Sequence, residues 1–143
     1  MRNDKISAAA ATAAVENAAN LSAEELVNAL AQLEKIRYTE NEVVRDENGD
    51  NIARRLLPLL SDCRWEVRAK ALITIGRVGD STVAADIIRW LQSVDEPWWQ
   101  LQGLDCWWQL PLDDETRGVT LTNLISWAYQ PVTVRGLVWL LQD

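Results

Sequence analysis

The chain has 143 residues, eight tryptophans, no phenylalanine and no histidine, and its formal net charge is −7. This length suits one compact domain that can bury a substantial core. Acidic residues dominate in residues 1–50 and 91–143, whereas residues 51–90 carry seven basic and four acidic side chains. An acidic chain is repelled by phosphate backbones, and no stretch is long and apolar enough to span a bilayer. We therefore expect neither a nucleic acid nor a membrane as partner.

Two cysteines, Cys63 and Cys106, are too few for a disulfide framework, and reduced thiols are typical of a cytoplasmic protein. The N-terminal residues 1–15 superficially resemble a signal peptide. Their apolar section is alanine rather than leucine, and Asp4 lies where a signal peptide carries positive charge. The sequence therefore predicts a cytoplasmic location.

Two helices are predicted before residue 40. Residues 5–19 are rich in alanine and favour a helix by propensity. Ser22 and Glu25 have the spacing of a capping box, and the leucines that follow at helical spacing predict a second helix over 23–37.

A polar segment follows over residues 39–51 and predicts a loop or a small hairpin that turns at Asn48-Gly49. Oxygen-bearing side chains alternate from Asp46 as in the first half of a calcium loop. Asn51 replaces the required glycine, however, and Leu57 stands where the loop needs glutamate. We do not predict calcium binding.

The rest of the chain is helical in blocks separated by short turns, which implies antiparallel neighbours. Gly79-Asp80-Ser81 is expected to close one helix and cap the next, and Asp113 or Asp114 to cap the fifth. The predicted blocks are 52–61, 65–77, 82–93, 97–110, 114–129 and 131–142. The fold class is all-α, with an N-terminal helical cap and acidic loop over 1–50 and a repeat domain over 51–143.

The helical blocks repeat. Asp62-x-x-Trp65 recurs 33 residues later as Asp95-x-x-Trp98, and a third, partial copy begins at Pro131. The helices that precede these segments also match in their apolar positions. Three helix pairs on one template predict a short α-solenoid.

The segment from Trp65 to Asp80 resembles the second helix of a HEAT repeat, of the short type found in phycobilin-lyase-like HEAT proteins. The positions that carry the resemblance are Val67, Arg68, Ala71, Gly79 and Asp80. The resemblance implies a HEAT-like α-α superhelix of about three helix pairs. It also implies that Arg68 pairs with a neighbouring carboxylate.

Residues 95–111 hold four of the eight tryptophans between two prolines. Alignment with the first copy assigns Trp98 and Trp108 to the framework of the repeat. The remaining apolar face is either packed against the N-terminal helices or a second copy of the chain, or it is a partner-binding patch. This face consists of Trp99, Cys106, Trp107 and Leu110.

A run of basic residues in the middle of the chain also has two interpretations. It forms either a positive edge that meets an acidic partner or phosphate, or a solvated face without a partner. The candidate binding residues in this run are Arg54, Arg55, Arg64 and Arg77.

Catalysis finds little support in the sequence. The chain has no histidine, no glycine-rich phosphate loop and no zinc-site spacing, so we predict no catalytic residue, metal or cofactor. We predict a non-catalytic protein–protein interaction module, an adaptor, chaperone or inhibitor of the immunity type, which binds another protein or its own copy. The resemblance leaves a bilin- or chromophore-binding lyase-like protein as the alternative. DNA binding like that of HEAT-like alkylpurine glycosylases is the least favoured, because of the net charge.

Overall fold

The computed structural model describes residues 2–40 and 43–127. These residues form α-helices joined by short turns and 3-10 segments, and they contain no β-strand. The helices are α1 (Arg2–Glu16), α2 (Ala23–Glu40), α3 (Ala53–Leu56), α4 (Trp65–Val78), α5 (Ala84–Ser93), α6 (Pro97–Gln109) and α7 (Asp114–Trp127). The predicted all-α class is confirmed for this part of the chain.

The predicted capping box at the start of α2 is present. The backbone N–H of Glu25 donates to the Ser22 hydroxyl at 3.1 Å, and the backbone N–H of Ser22 donates to the Glu25 carboxylate at 3.3 Å. The two bonds satisfy donors that the first helical turn leaves without partners.

The segment between α2 and α3 turns back on itself as a small hairpin. Arg45 and Asn51 form an isolated antiparallel bridge, and Gly49 lies between them with a φ of 81°. This left-handed conformation favours glycine. The Asp46 carboxylate accepts backbone N–H bonds within the turn and binds Arg55, so protein donors already occupy it.

The segment 52–61, which was predicted to be one helix, consists of two different helical segments. The α-helix α3 ends at Leu56, and a 3-10 helix follows over Leu57–Ser61. Pro58 explains the change, because it has no N–H to donate into an α-helix. The predicted helix over 131–142 and the third copy from Pro131 lie outside the described residues.

The caps predicted from aspartates are present. The Asp80 carboxylate accepts the backbone N–H of Thr82 at 3.0 Å. The Asp113 carboxylate accepts the backbone N–H of Thr116 at 2.6 Å, so Asp113 rather than its neighbour caps α7.

Helix α4 packs against both α2 and α6 and runs in the same direction as each. Arg64, just before α4, reaches the carbonyl of Leu21, just before α2, and Arg77, near the end of α4, reaches Glu34 in the second half of α2.

Near the start of α4 and α6, the Arg68 guanidinium lies 4.8 Å from the Trp99 ring centroid. Near their ends, Gly76 lies against the backbone of Cys106. These two contacts fix the parallel direction, because each joins corresponding ends of the two helices.

Helices α1, α3 and α5 form a second layer. Arg55 of α3 reaches Glu16 of α1, and Arg54 of α3 lies 3.7 Å from the carboxylate of Asp86 in α5. Residues from α1 to α7 contribute to one hydrophobic cluster. The N-terminal helices thus share their core with the helices that follow residue 51.

One buried carboxylate joins α2 to α4. Glu34 is almost fully buried, and its oxygens accept bonds from Thr74 Oγ1 at 2.9 Å, Lys70 Nζ at 2.6 Å and Arg77 Nη1. Burial by itself raises the pKa of Glu34, but the hydrogen bonds from these three residues outweigh it and hold the pKa below its ordinary value. Glu34 is therefore ionised and satisfied inside the protein.

We expect Glu34→Gln to lower the free energy of unfolding by on the order of 2–3 kcal/mol at neutral pH, because Lys70 and Arg77 lose their buried counter-charge. A carboxyl with a lowered folded-state pKa stabilises above its unfolded pKa, and this contribution is lost as the pH falls through the folded value. The difference between wild type and variant should therefore shrink below the ordinary pKa of 4.5. Urea unfolding at several pH values measures it. Glu24→Gln, at an exposed position of the same helix, is the control, and an equal loss there would contradict the assignment.

Helices α5 and α6 approach closely at Gly103. A Cβ at this position would lie 2.8 Å from the Leu91 Cβ and 3.2 Å from the Trp90 ring. Gly118, in the middle of α7, has nothing within 4 Å of the same atom.

We expect Gly103→Ala to destabilise the protein by about 1–3 kcal/mol through overpacking. Gly118→Ala is the matched control and should be neutral or stabilising by up to about 1 kcal/mol, because alanine favours a helix interior. Thermal unfolding of both variants measures the difference. A Gly103→Ala protein as stable as wild type would show that α5 and α6 are not in this close contact.

Candidate partner-binding surface

Two tryptophans are exposed at the starts of neighbouring parallel helices. Trp65 is the first residue of α4 and is 64% exposed; Trp98 is the second residue of α6 and is 50% exposed. They are the aligned tryptophans of the two Asp-x-x-Trp segments. We call these two exposed side chains, Trp65 and Trp98, at the same end of the protein, the aromatic edge.

Aromatic rings in and near the core support Trp98 from behind. The Trp98 ring meets the Trp99 ring edge to face, with centroids 4.6 Å apart, and Trp99 meets Trp90 in the same way at 6.2 Å. Trp90 Nε1 donates to the carbonyl of Leu60 at 3.1 Å. Trp98 is therefore supported by a fixed aromatic cluster, which limits the entropy that it would lose on binding.

Arg68 stabilises this cluster without the carboxylate contact that the family resemblance implies. Its Nε and Nη2 donate to the backbone carbonyl of Asp62, and its guanidinium lies over the Trp99 ring. The Asp62 carboxylate binds Arg64 instead, at 2.8 Å. The hydrogen bond from Arg64 lowers the pKa of Asp62.

The predicted apolar face of α6 lies inside the protein. Trp99, Cys106 and Trp107 are 6%, 3% and 1% exposed, and Leu110 is fully buried. They pack against the neighbouring helices: Trp99 against Trp90 of α5, and Cys106 against the α4 backbone. Packing within the chain accounts for this face, with α4 and α5 as neighbours where the N-terminal helices were expected.

Trp98, which the alignment placed in the repeat framework together with Trp108, has a half-exposed ring and is not part of the buried core. Successive residues on an α-helix are turned by about 100°, so Trp98 and Trp99 cannot face the same neighbours. Trp99 occupies the space between α4 and α5, and Trp98 is left on the surface. Trp108 is partly buried and lies under the Arg117 guanidinium, 5.0 Å from the ring centroid.

The four candidate arginines of the basic run all bind acceptors within the chain. Arg77 binds the buried Glu34, for example, and is not available as part of a free positive edge. The other acceptors are Asp86 and the Thr82 carbonyl for Arg54, then Glu16, Asp46 and Glu47 for Arg55, and Asp62 with the carbonyls of Ala18 and Leu21 for Arg64. These contacts join successive helices and turns to one another.

A groove of about 540 Å³ lies between α5 and α7. Ala84, Ala85 and Ile88 of α5 form one wall, and the buried Trp107 lies at its base. Asp113 is the one charged residue of its lining. The groove has both apolar and polar lining residues and presents no cation to a ligand.

Residues 2–40 and 43–127 contain no group of three or more histidine, cysteine, aspartate or glutamate side chains arranged to hold a metal ion. No helix in these ranges has the length and hydropathy needed to cross a membrane.

Comparison of the chain with protein-family models, with curated proteins and with solved structures found no match.

The burial of the α6 face predicts different reactivity for the two thiols. Cys63 is exposed and Cys106 is buried, and burial raises the pKa of Cys106 far above its ordinary value. We expect Ellman's reagent to modify one thiol in the native protein and the second only after denaturation. Cys63→Ser should abolish the native signal. Rapid modification of both thiols would place the α6 face on the surface.

Proposed function

We propose that the protein is a non-catalytic protein-binding module and that the aromatic edge is its contact surface. The observation that carries the proposal is the exposure of Trp65 and Trp98 at equivalent positions of two neighbouring helices. Tryptophan is among the residues most enriched in the energetic centres of protein interfaces. Large exposed apolar side chains grouped on one surface are typical of an interaction site.

The two exposed rings would supply part of the binding free energy of a complex, and further contacts around them would supply the rest. Covering the exposed parts of both rings would remove on the order of 200 Å² from water, worth about 5 kcal/mol before the costs of association. The aromatic cluster behind Trp98 reduces one of those costs, because the ring is already held.

We further propose that the helices from α3 onward are HEAT-like repeats. Support comes from the two layers, in which α4 and α6 are parallel second helices and α3 and α5 precede them. The aligned Asp62 and Trp65, and Asp95 and Trp98, recur at the starts of the second helices. Stacked repeats of this kind use continuous surfaces to bind proteins.

A chromophore-binding function has one supporting feature, the groove between α5 and α7 with Trp107 at its base. Its volume lies within the range of small-molecule sites. An open-chain tetrapyrrole carries carboxylates, however, and Asp113 in the lining would repel them. The protein-binding proposal is therefore preferred, and the absorbance spectrum after incubation with bilin tests the alternative.

We expect the tagged protein, expressed in its native host, to co-purify with a partner in stoichiometric amount. Trp65→Ala/Trp98→Ala should reduce the recovery of that partner at least tenfold, because the exposed rings supply the central contact. Mass spectrometry of the purified complex identifies and quantifies the partner.

Ile73→Ala/Val119→Ala is the matched control, since both side chains are large, apolar and exposed but lie away from the start of α4 and α6. It should retain the partner, and thermal unfolding should show that both double variants are folded. Absence of a stoichiometric partner, or full retention by the tryptophan variant, would refute the proposal.

A further inference from the structure

We infer that the aromatic edge takes a cationic segment of its partner, a stretch rich in arginine or lysine. The inference rests on the proposed function and adds the chemical class of the partner. It is carried by the exposed tryptophans together with the charges that surround them.

Carboxylates flank both exposed tryptophans. Glu66 follows Trp65 directly in α4, and Asp95 and Glu96 come just before Pro97 and Trp98. Within residues 2–40 and 43–127, none of these three carboxylates has a cation within salt-bridge distance, although Glu66 interacts electrostatically with Arg64 over a longer distance. Indole rings beside available carboxylates offer a guanidinium or ammonium group both a cation–π contact and a counter-charge.

Two arginines lie at this end of the protein, and both make contacts within the chain. Arg64 binds the Asp62 carboxylate and the carbonyls of Leu21 and Ala18. Arg68 binds the Asp62 carbonyl and lies over Trp99. These two arginines offset part of the surrounding negative charge, and Arg64 interacts electrostatically with Glu66. Four carboxylates stand against the two guanidinium groups, so the net charge around the aromatic edge is −2; the four are Asp62, Glu66, Asp95 and Glu96.

The contact between Arg64 and Leu21 also places the start of α2 at this end. The first turn of α2 carries the exposed Glu24 and Glu25, which add to the negative charge. Three parallel helices thus begin near one another, and acidic residues stand in or beside the first turn of each.

Favourable interaction with a helix N-terminus accounts for part of this pattern, and it suffices for Glu66. The same interaction extends to Glu96, at the N-cap position of α6, and to Asp95 just before it. The Glu96 side chain makes no capping hydrogen bond there, however. Its carboxylate can therefore turn to a cation of a partner without breaking a capping bond.

The protein itself pairs arginine with tryptophan at two other places. The Arg68 guanidinium lies 4.8 Å from the Trp99 ring centroid, and that of Arg117 lies 5.0 Å from the centroid of Trp108. A partner arginine at Trp65 or Trp98 would repeat the same contact at the surface.

The test uses a decapeptide of alternating arginine and glycine, with alternating glutamate and glycine as its acidic counterpart. Indole N–H signals are recorded by nuclear magnetic resonance and assigned with Trp65→Phe and Trp98→Phe. We expect the arginine peptide to shift the Trp65 and Trp98 signals selectively. Its Kd should rise several-fold between 50 and 200 mM salt. The glutamate peptide should produce no shift.

Glu66→Gln/Glu96→Gln should weaken binding of the arginine peptide about tenfold. The matched control is Asp114→Asn/Glu115→Gln, which makes the same change of charge in the first turn of α7 and should leave Kd within twofold. Equal weakening by both variants, or no shift at Trp65 and Trp98, would overturn the inference.

The two proposals fail separately. If a natural partner depends on Trp65 and Trp98 but binds the glutamine variant as tightly as wild type, the partner is not cationic and the binding function stands. If no partner depends on the tryptophans, the proposed function fails. The peptide titration then still decides whether the edge prefers cations.

Discussion

A buried carboxylate determines how the helices are arranged. Glu34 would be costly inside the protein unless cations reached it, and Lys70 and Arg77 do so from positions two turns apart on α4. These contacts fix the axial position of α4 relative to α2. Together with the bond from Arg64 to the Leu21 carbonyl, they fix its direction as well. Because α4 also packs against α6, the same contact sets the frame in which Trp65 and Trp98 come to lie at one end of the protein.

Small residues then determine which face of α6 turns inward. Gly76 lets α4 approach the backbone of Cys106, and Gly103 lets α6 approach Trp90 and Leu91 of α5. Both close approaches draw the Trp99 and Cys106 side of α6 into the core. Trp98, one residue away, is consequently left at the surface.

Much of the fold could be predicted because its signals are local. Capping residues and prolines lie within a few positions of the helix ends that they define, as Ser22 and Asp113 do. The buried face of α6 could not be predicted, because this helix is apolar on two arcs and periodicity does not choose between them. Local sequence patterns could not predict the arginine contacts either, because Arg77 binds a carboxylate 43 positions earlier in the chain.

The charges around the aromatic edge also bear on self-association. A symmetric dimer formed through this edge would bring Glu66, Asp95 and Glu96 of one copy against the same carboxylates of the other. Like charges placed together in this way oppose association, whereas a cationic partner would neutralise them. Exposed indoles favour non-specific contact between copies of the chain, and the carboxylates oppose that contact. Glu66, Asp95 and Glu96 would therefore repel a second copy of the chain and attract a cationic partner.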